Sequence, residues 1–133
     1  MHEAALAEPL LRLVLEETAT HEQAQEHKLQ VTRVRIRAGL LMGIEAPTLQ
    51  GIFALMAEGT AAAGAELVVE AQPMRGVCPD CGLKDSITRS KDFRCPECGG
   101  ENVDWTGGNE LYIASIEVKP IAEIDIASPE ATP

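Results

Sequence analysis

CPDCGLKDSITRSKDFRCPECG, residues 78–99, decides how the rest of the chain is read. Its ends, CPDCG at Cys78 to Gly82 and CPECG at Cys95 to Gly99, are near copies, and thirteen residues separate Cys81 from Cys95. Each C-x-x-C turn can aim two thiolates at one point, and the glycine after it lets backbone amides approach the sulfurs. Two such turns complete a tetrahedral S4 set, so Cys78, Cys81, Cys95 and Cys98 are expected to hold a structural Zn2+. A thioredoxin-like redox pair needs one C-x-x-C at a helix start and leaves the duplication unexplained. Four thiolates also leave no open coordination position, which argues against catalytic zinc. A segment this short, without a core, would fold on the binding free energy of its metal.

Outward from the cysteines, Arg75 to Gly108 is rich in Gly, Pro, Cys and charge and poor in apolar periodicity. It reads as a unit inserted between two strands of one sheet. After it, ELYIASIEVK (110–119) alternates as a strand, with Tyr112, Ala114, Ile116 and Val118 on one face. Before it, AELVVEAQ (65–72) places Leu67 and Val69 inward and Glu66 and Glu70 outward. A third strand, LQVTRVRIRAG (29–39), puts Thr32, Val34, Ile36 and Ala38 on one face and Arg33, Arg35 and Arg37 on the other. Between Ala4 and about Glu26, Leu6, Leu10, Leu13 and Val14 recur at helical spacing as a buried stripe, and Pro9 requires a late start or a kink. Pro47 opens a second helix with a stripe of Leu49, Ile52, Phe53 and Met56, closed by the Gly59 to Gly64 region.

The expected fold is therefore α+β, two helices on a small three-stranded sheet with an inserted, zinc-ribbon-like four-cysteine domain. Its parts would be an α+β domain of residues 1–73 plus 109–120, the zinc domain of 74–108, and an acidic, mobile tail of 121–133.

Composition narrows the function. The 133 residues are 45% apolar but include one Trp, one Tyr and two Phe, so the core is modest and aliphatic. A formal net charge of −10 opposes nucleic-acid backbones and anionic membranes, and favours protein or metal-ion partners. No apolar run reaches membrane-span length, and no signal-peptide pattern precedes the first helix, so a cytoplasmic protein is expected. In a reducing cytosol, paired cysteines point to metal or redox chemistry rather than structural disulfides.

The opening stretch MHEAALAEPLL (1–11) gathers nitrogen donors: the Met1 amine, the His2 amide and imidazole, and the Glu3 amide. The amine and His2 amide close a five-membered chelate ring, and imidazole Nδ1 with that amide closes a six-membered one. Such donors suit tetragonal Ni(II) or Cu(II), although a histidine at position 2 is more often a solvated polar residue. Glu3 has three roles open to it: carboxylate donor, amide donor, or a charge favouring the helix start.

Taken together, MHE at the terminus, the AEPLL helix, VTRVRIRAG followed by LLMGIE, GTAAAGAELVVE, the CPDCG and CPECG pair, and GGNELYIASIEV resemble the hydrogenase nickel-incorporation proteins of the HypA/HybF family, over about Met1 to Val118. The resemblance implies an accessory protein rather than an enzyme, a cytoplasmic metallochaperone delivering nickel to the large subunit of [NiFe]-hydrogenase. Its implied partners are a nickel-related maturation GTPase and, in some organisms, urease maturation proteins, with the chain a monomer or weak homodimer. It implies His2 as the essential nickel ligand, backbone nitrogens of His2 and Glu3 as further donors, and zinc on Cys78, Cys81, Cys95 and Cys98. The sequence departs from the family at Leu40 and Leu41, where relatives commonly have Glu-Leu, and at Pro9. No histidine follows His27, so a zinc-domain histidine cannot serve as a fourth nickel ligand.

Other classes fit less well. A zinc-ribbon nucleic-acid module shares the cysteines but not the acidity. A zinc hydrolase would need an open site and a His/Glu cluster. A zinc-stabilised interaction protein needs no nickel and would tolerate loss of His2. His21 and His27 read as solvated residues at a helix end, and the Arg33, Arg35 and Arg37 stripe either docks an acidic partner or pairs with Glu66 and Glu70 across the sheet.

Overall fold

The computed structural model describes residues 3–82, 86–88 (backbone path only) and 93–121. Helix α1 (Glu3–Gln25) leads into β1 (Leu29–Gly39), a 3-10 turn (Leu40–Met42), α2 (Ala46–Ala57) and β2 (Glu66–Gln72). The short strands β3 (Met74–Val77), β4 (Ser86–Thr88) and β5 (Asp104–Thr106) come next, and β6 (Leu111–Pro120) closes the described chain. Two three-stranded sheets result, ordered β2-β1-β6 and β4-β3-β5. In the first, β1 pairs parallel with β2, across the connection that contains α2, and antiparallel with β6. The fold is thus the expected pair of helices on a small sheet, and the cysteine-bearing stretch carries a small sheet of its own.

The core lies between the helices and one sheet face. Ala7, Leu10, Leu11 and Val14 of α1 meet Leu49, Phe53 and Ala57 of α2 over Val31, Val34, Ile36 and Leu67. Helix α1 runs through Pro9 from Glu3, so the Ala5 carbonyl loses its intrahelical donor without ending the helix. It stops where Glu26 takes a left-handed conformation (φ 57°).

Strict alternation fails at two bulges. The pairing of β1 with β6 slips between Val31 and Arg33 and again between Arg35 and Ile36. At the first slip Thr32, expected inward, is exposed while Val31 is buried. At the second, Ala114 is skipped, so Leu111 and Ile113 join Ile116 against the core while Tyr112 and Ala114 are exposed. An extra residue in one strand reverses the facing of the residues beyond it. Two helical expectations also change: Met56 is 38% exposed and Ala57 takes its place, while Leu13 is 50% exposed and Leu11 is buried.

The sheet's other face carries charge. Arg33 Nε donates to Glu66 at 3.0 Å and Arg33 Nη1 to Glu117 at 3.4 Å, while Arg35 and Arg37 each bring Nε to within 3.1 Å of Glu70. The arginine stripe is therefore satisfied across the strands, which removes the case for a free basic docking surface. Hydrogen bonds from Arg35, then Arg37, hold the Glu70 carboxyl below its ordinary range.

Where the two sheets meet, Gly39 N–H donates to the Glu110 carbonyl at 2.7 Å and Leu41 N–H to the Gly108 carbonyl at 2.8 Å. A β-carbon on Gly39 would stand 2.3 Å from the Gly108 carbonyl carbon and oxygen, so only glycine permits this approach.

Candidate metal centre

Each knuckle is built the same way. Gly82 N–H returns to the Cys78 carbonyl and Gly99 N–H to the Cys95 carbonyl, both at 2.9 Å, with the glycines at φ 78° and 73°. The positive φ turns the chain back so that the two sulfurs of each knuckle face one point. Cys78 and Cys95 are buried, and Cys81 and Cys98 exposed, so each knuckle offers one inner and one outer sulfur. Strands β3 and β5 place the first knuckle beside the second by pairing Val77 with Asp104.

All four sulfurs lie within 4.8 Å of one another, with Cys78 to Cys98 and Cys81 to Cys95 each 3.7 Å apart. A tetrahedron with Zn–S bonds of about 2.3 Å has edges of about 3.8 Å, so the donor set fits a tetrahedral thiolate site. Backbone amides supply the rest. The amide of Cys98, and after it that of Glu97 (3.4 Å from Cys95 Sγ), hold the Cys95 thiol down at about 6. At Cys98 the Gly100 amide also lowers the value, but the Cys78 sulfur, burial and the other two sulfurs prevail and push it up to about 12. Packed thiols resist ionising together, and a cation among them removes that opposition.

Gly100 is a part of the site that sequence reasoning did not single out. A β-carbon there would fall 2.7 Å from the Asp80 carboxylate and 3.2 Å from Cys98 Sγ. The doubled glycine after the second knuckle was the available signal, because Gly99 alone serves the turn.

At the other end of the molecule, Met1 and His2 lie outside the described residues. Glu3 is described, and it opens α1, where an amide is not yet part of the intrahelical ladder. The residue is 3% exposed, and its Oε2 accepts the Glu45 amide at 2.8 Å. Glu45 is the N-cap of α2, so this bond ties the first turn of one helix to the start of the other. Nothing local marks Glu45 as a partner, since forty-two residues separate the two. His21 lies on the exposed side of α1, 4.0 Å from Glu17. Among the described residues the four cysteines are the group of three or more His, Cys, Asp or Glu that could hold a metal. No helix among them is long and apolar enough to cross a membrane.

Comparison with known proteins places this arrangement. The family described as "Hydrogenase/urease nickel incorporation, metallochaperone, hypA" matches residues 1–118. Proteins named hydrogenase maturation factor HypA are similar throughout. That of Chloroflexus aurantiacus is 34% identical over 88% of this chain and 98% of its own length. The Aquifex aeolicus protein is 34% identical over 90% and 98%, and that of Streptomyces avermitilis 36% identical over 87% and 86%. The solution structure of the Ni metallochaperone HypA from Helicobacter pylori shares the fold, with a TM-score of 0.52 and 23% identity over 88% of this chain and 97% of that one. With two helices on a three-stranded sheet and four clustered cysteines already in place, these matches along nearly the whole chain identify it as a member of the HypA family of nickel-incorporation metallochaperones, proteins of hydrogenase and urease maturation.

Proposed function

We propose that this chain binds Ni(II) at its MHE terminus and hands it to the large subunit of a [NiFe]-hydrogenase, as a non-enzymatic cytoplasmic carrier working with a maturation GTPase. Urease is the second client class. The observation that carries the proposal is the family match that begins at residue 1 and so takes in Met1, His2 and Glu3 together with all four cysteines. His2 supplies the imidazole and an amide, Glu3 its amide, and Met1 its terminal amine. The Glu3 carboxylate already receives the Glu45 amide, which favours the amide over the carboxylate as the donor from this residue. The four cysteines take Zn2+, whose role is to fold residues 74–108, leaving 1–73 plus 109–120 as the nickel domain. Such a closed S4 site retains its metal, whereas a carrier must release its cargo, so the two metals need different places.

Titrating Ni(II) by calorimetry into zinc-loaded protein with a tag-free N-terminus, beside His2→Ala, tests this. Heat in the first and its loss in the second is expected. Equal binding by both would move nickel elsewhere, and no binding by either would leave a zinc-stabilised adaptor. Copper should bind these nitrogens more tightly than nickel by the Irving–Williams order, so selectivity in the cell rests on supply and partner docking.

A further inference from the structure

Three residues whose spacing calls for burial, Leu13 of α1 and Tyr112 and Val118 of β6, are instead 50%, 43% and 38% exposed. They line one groove of 640 Å³ between α1 and β6. Residues from both faces of the pleat, such as Ile113 and Ile116 on the core side and Tyr112 and Ser115 on the other, border the same groove. That is geometrically consistent only if the groove runs along the strand's edge. Strand β6 is the end of its sheet and has no strand beyond it among the described residues, so its outward amides and carbonyls face this space. Ser115 Oγ, shielded from solvent, has no hydrogen-bond partner among the described residues.

We infer that this groove receives an extended, cationic segment of a partner protein, which adds to the sheet as a fourth strand beside β6. Leu111 to Val118 span about 24 Å at about 3.4 Å per residue, room for a strand of about six to eight residues. Side chains on the α1-facing side of that segment would cover Leu13 and Val118, and those on its other side Tyr112, while its backbone takes the open edge. Charge selects the occupant. Glu17 is the carboxylate on the groove's wall, and the protein carries a net charge of −10. A second copy would bring the same −10, and the chain's own residues 122–133 contain Glu123, Asp125 and Glu130 and no Lys or Arg. A Lys- or Arg-bearing strand meets no such opposition.

The test uses the full-length, zinc-loaded chain and a terminally blocked VKVKVKVK peptide, with VEVEVEVE as the charge-inverted control, at physiological salt. Binding is read by fluorescence anisotropy, and its place by amide hydrogen exchange. The cationic peptide should slow exchange of the β6 amides that point away from β1 and bind at least tenfold more tightly than the acidic one. Leu13→Arg, a change at a half-exposed position that should leave the helical circular dichroism intact, should weaken it at least tenfold. Because nickel is not involved, His2→Ala should bind the peptide normally, which separates this inference from the nickel proposal. Unchanged binding by Leu13→Arg, or protection that arises away from β6, would overturn it. So would those β6 amides that point away from β1 being already protected without peptide: protection rising with protein concentration assigns the groove to a second copy, and concentration-independent protection to the chain's own tail.

Discussion

The helix-and-sheet body and the cysteine-bearing stretch sit in one short chain but are held by different forces. In the body, Phe53, Leu49, Val14, Val34 and Ile36 are almost wholly buried on one another. Between residues 74 and 108, the buried apolar side chains among the described residues are Met74 and the two inner cysteines. Burial of hydrocarbon can stabilise the first but not the second, whose strands are three or four residues long. On the zinc proposal, the difference teaches where each region's stability resides: in shape complementarity for one, and in a metal shared by four sulfurs for the other.

The largest effect should come from breaking the sulfur cluster. On the zinc proposal, Cys78→Ala or a strong chelator removes a binding free energy of about 10–16 kcal/mol. The expected result is collapse of amide dispersion for residues 74–108 in NMR spectra, with the helical signal and the β1–β6 pairing retained. Loss of both regions together would show that the body depends on the metal. The reverse experiment is Phe53→Ala, which should cost about 3–5 kcal/mol by denaturant unfolding. Cobalt bound in place of zinc should keep its thiolate absorption in that variant as long as the protein is folded, because Phe53 belongs to the body's core and not to the cysteine cluster.

The same contrast explains what could be read in advance. The clustering of the cysteines was legible because four thiols at fixed spacing encode their geometry locally, down to the glycines at 82 and 99. The elements of the body were legible from periodicity, which holds in β2 and over most of α2, where Ala57 rather than Met56 ends the buried stripe. What periodicity could not carry were the register slips at Thr32 and Ala114, because a bulge is a relation between two strands far apart in sequence. Leu13 and Leu11 are near neighbours and equally apolar, so the sequence cannot say which one the sheet covers. The Glu3 to Glu45 bond and the Gly39 to Gly108 approach were hidden for the same reason, being contacts of tertiary structure alone.

Gly39→Ala tests how independent the two regions are. The added methyl meets backbone at 2.3 Å, and backbone cannot rotate aside as a side chain can. A cost of about 1–3 kcal/mol is expected for forcing the junction open. Faster hydrogen exchange should appear at Leu41, whose amide donates to Gly108, while metal stoichiometry stays the same. A change in stoichiometry would mean that the junction helps to shape the cysteine cluster.

The smallest effect should come from the charged face of the sheet. Because Arg35 and Arg37 lower the folded-state value of the Glu70 carboxyl, its contribution is fully present above the ordinary 4.5 and is lost as pH falls below 4.5 through the lowered value. Glu70→Gln should therefore lower the unfolding midpoint slightly at about pH 7 and by less at about pH 3, and by less than Phe53→Ala at either pH. Comparing the variant with the parent at each pH cancels the thiolate protonation that weakens the metal site in both. Salt at about 1 M should shrink the difference at about pH 7, because Glu70 and its arginines remain partly exposed to the solvent that screens them. An effect that survives both acid and salt would mean that Glu70 acts by packing, and would extend the body's burial-based stability to the face that charge otherwise holds.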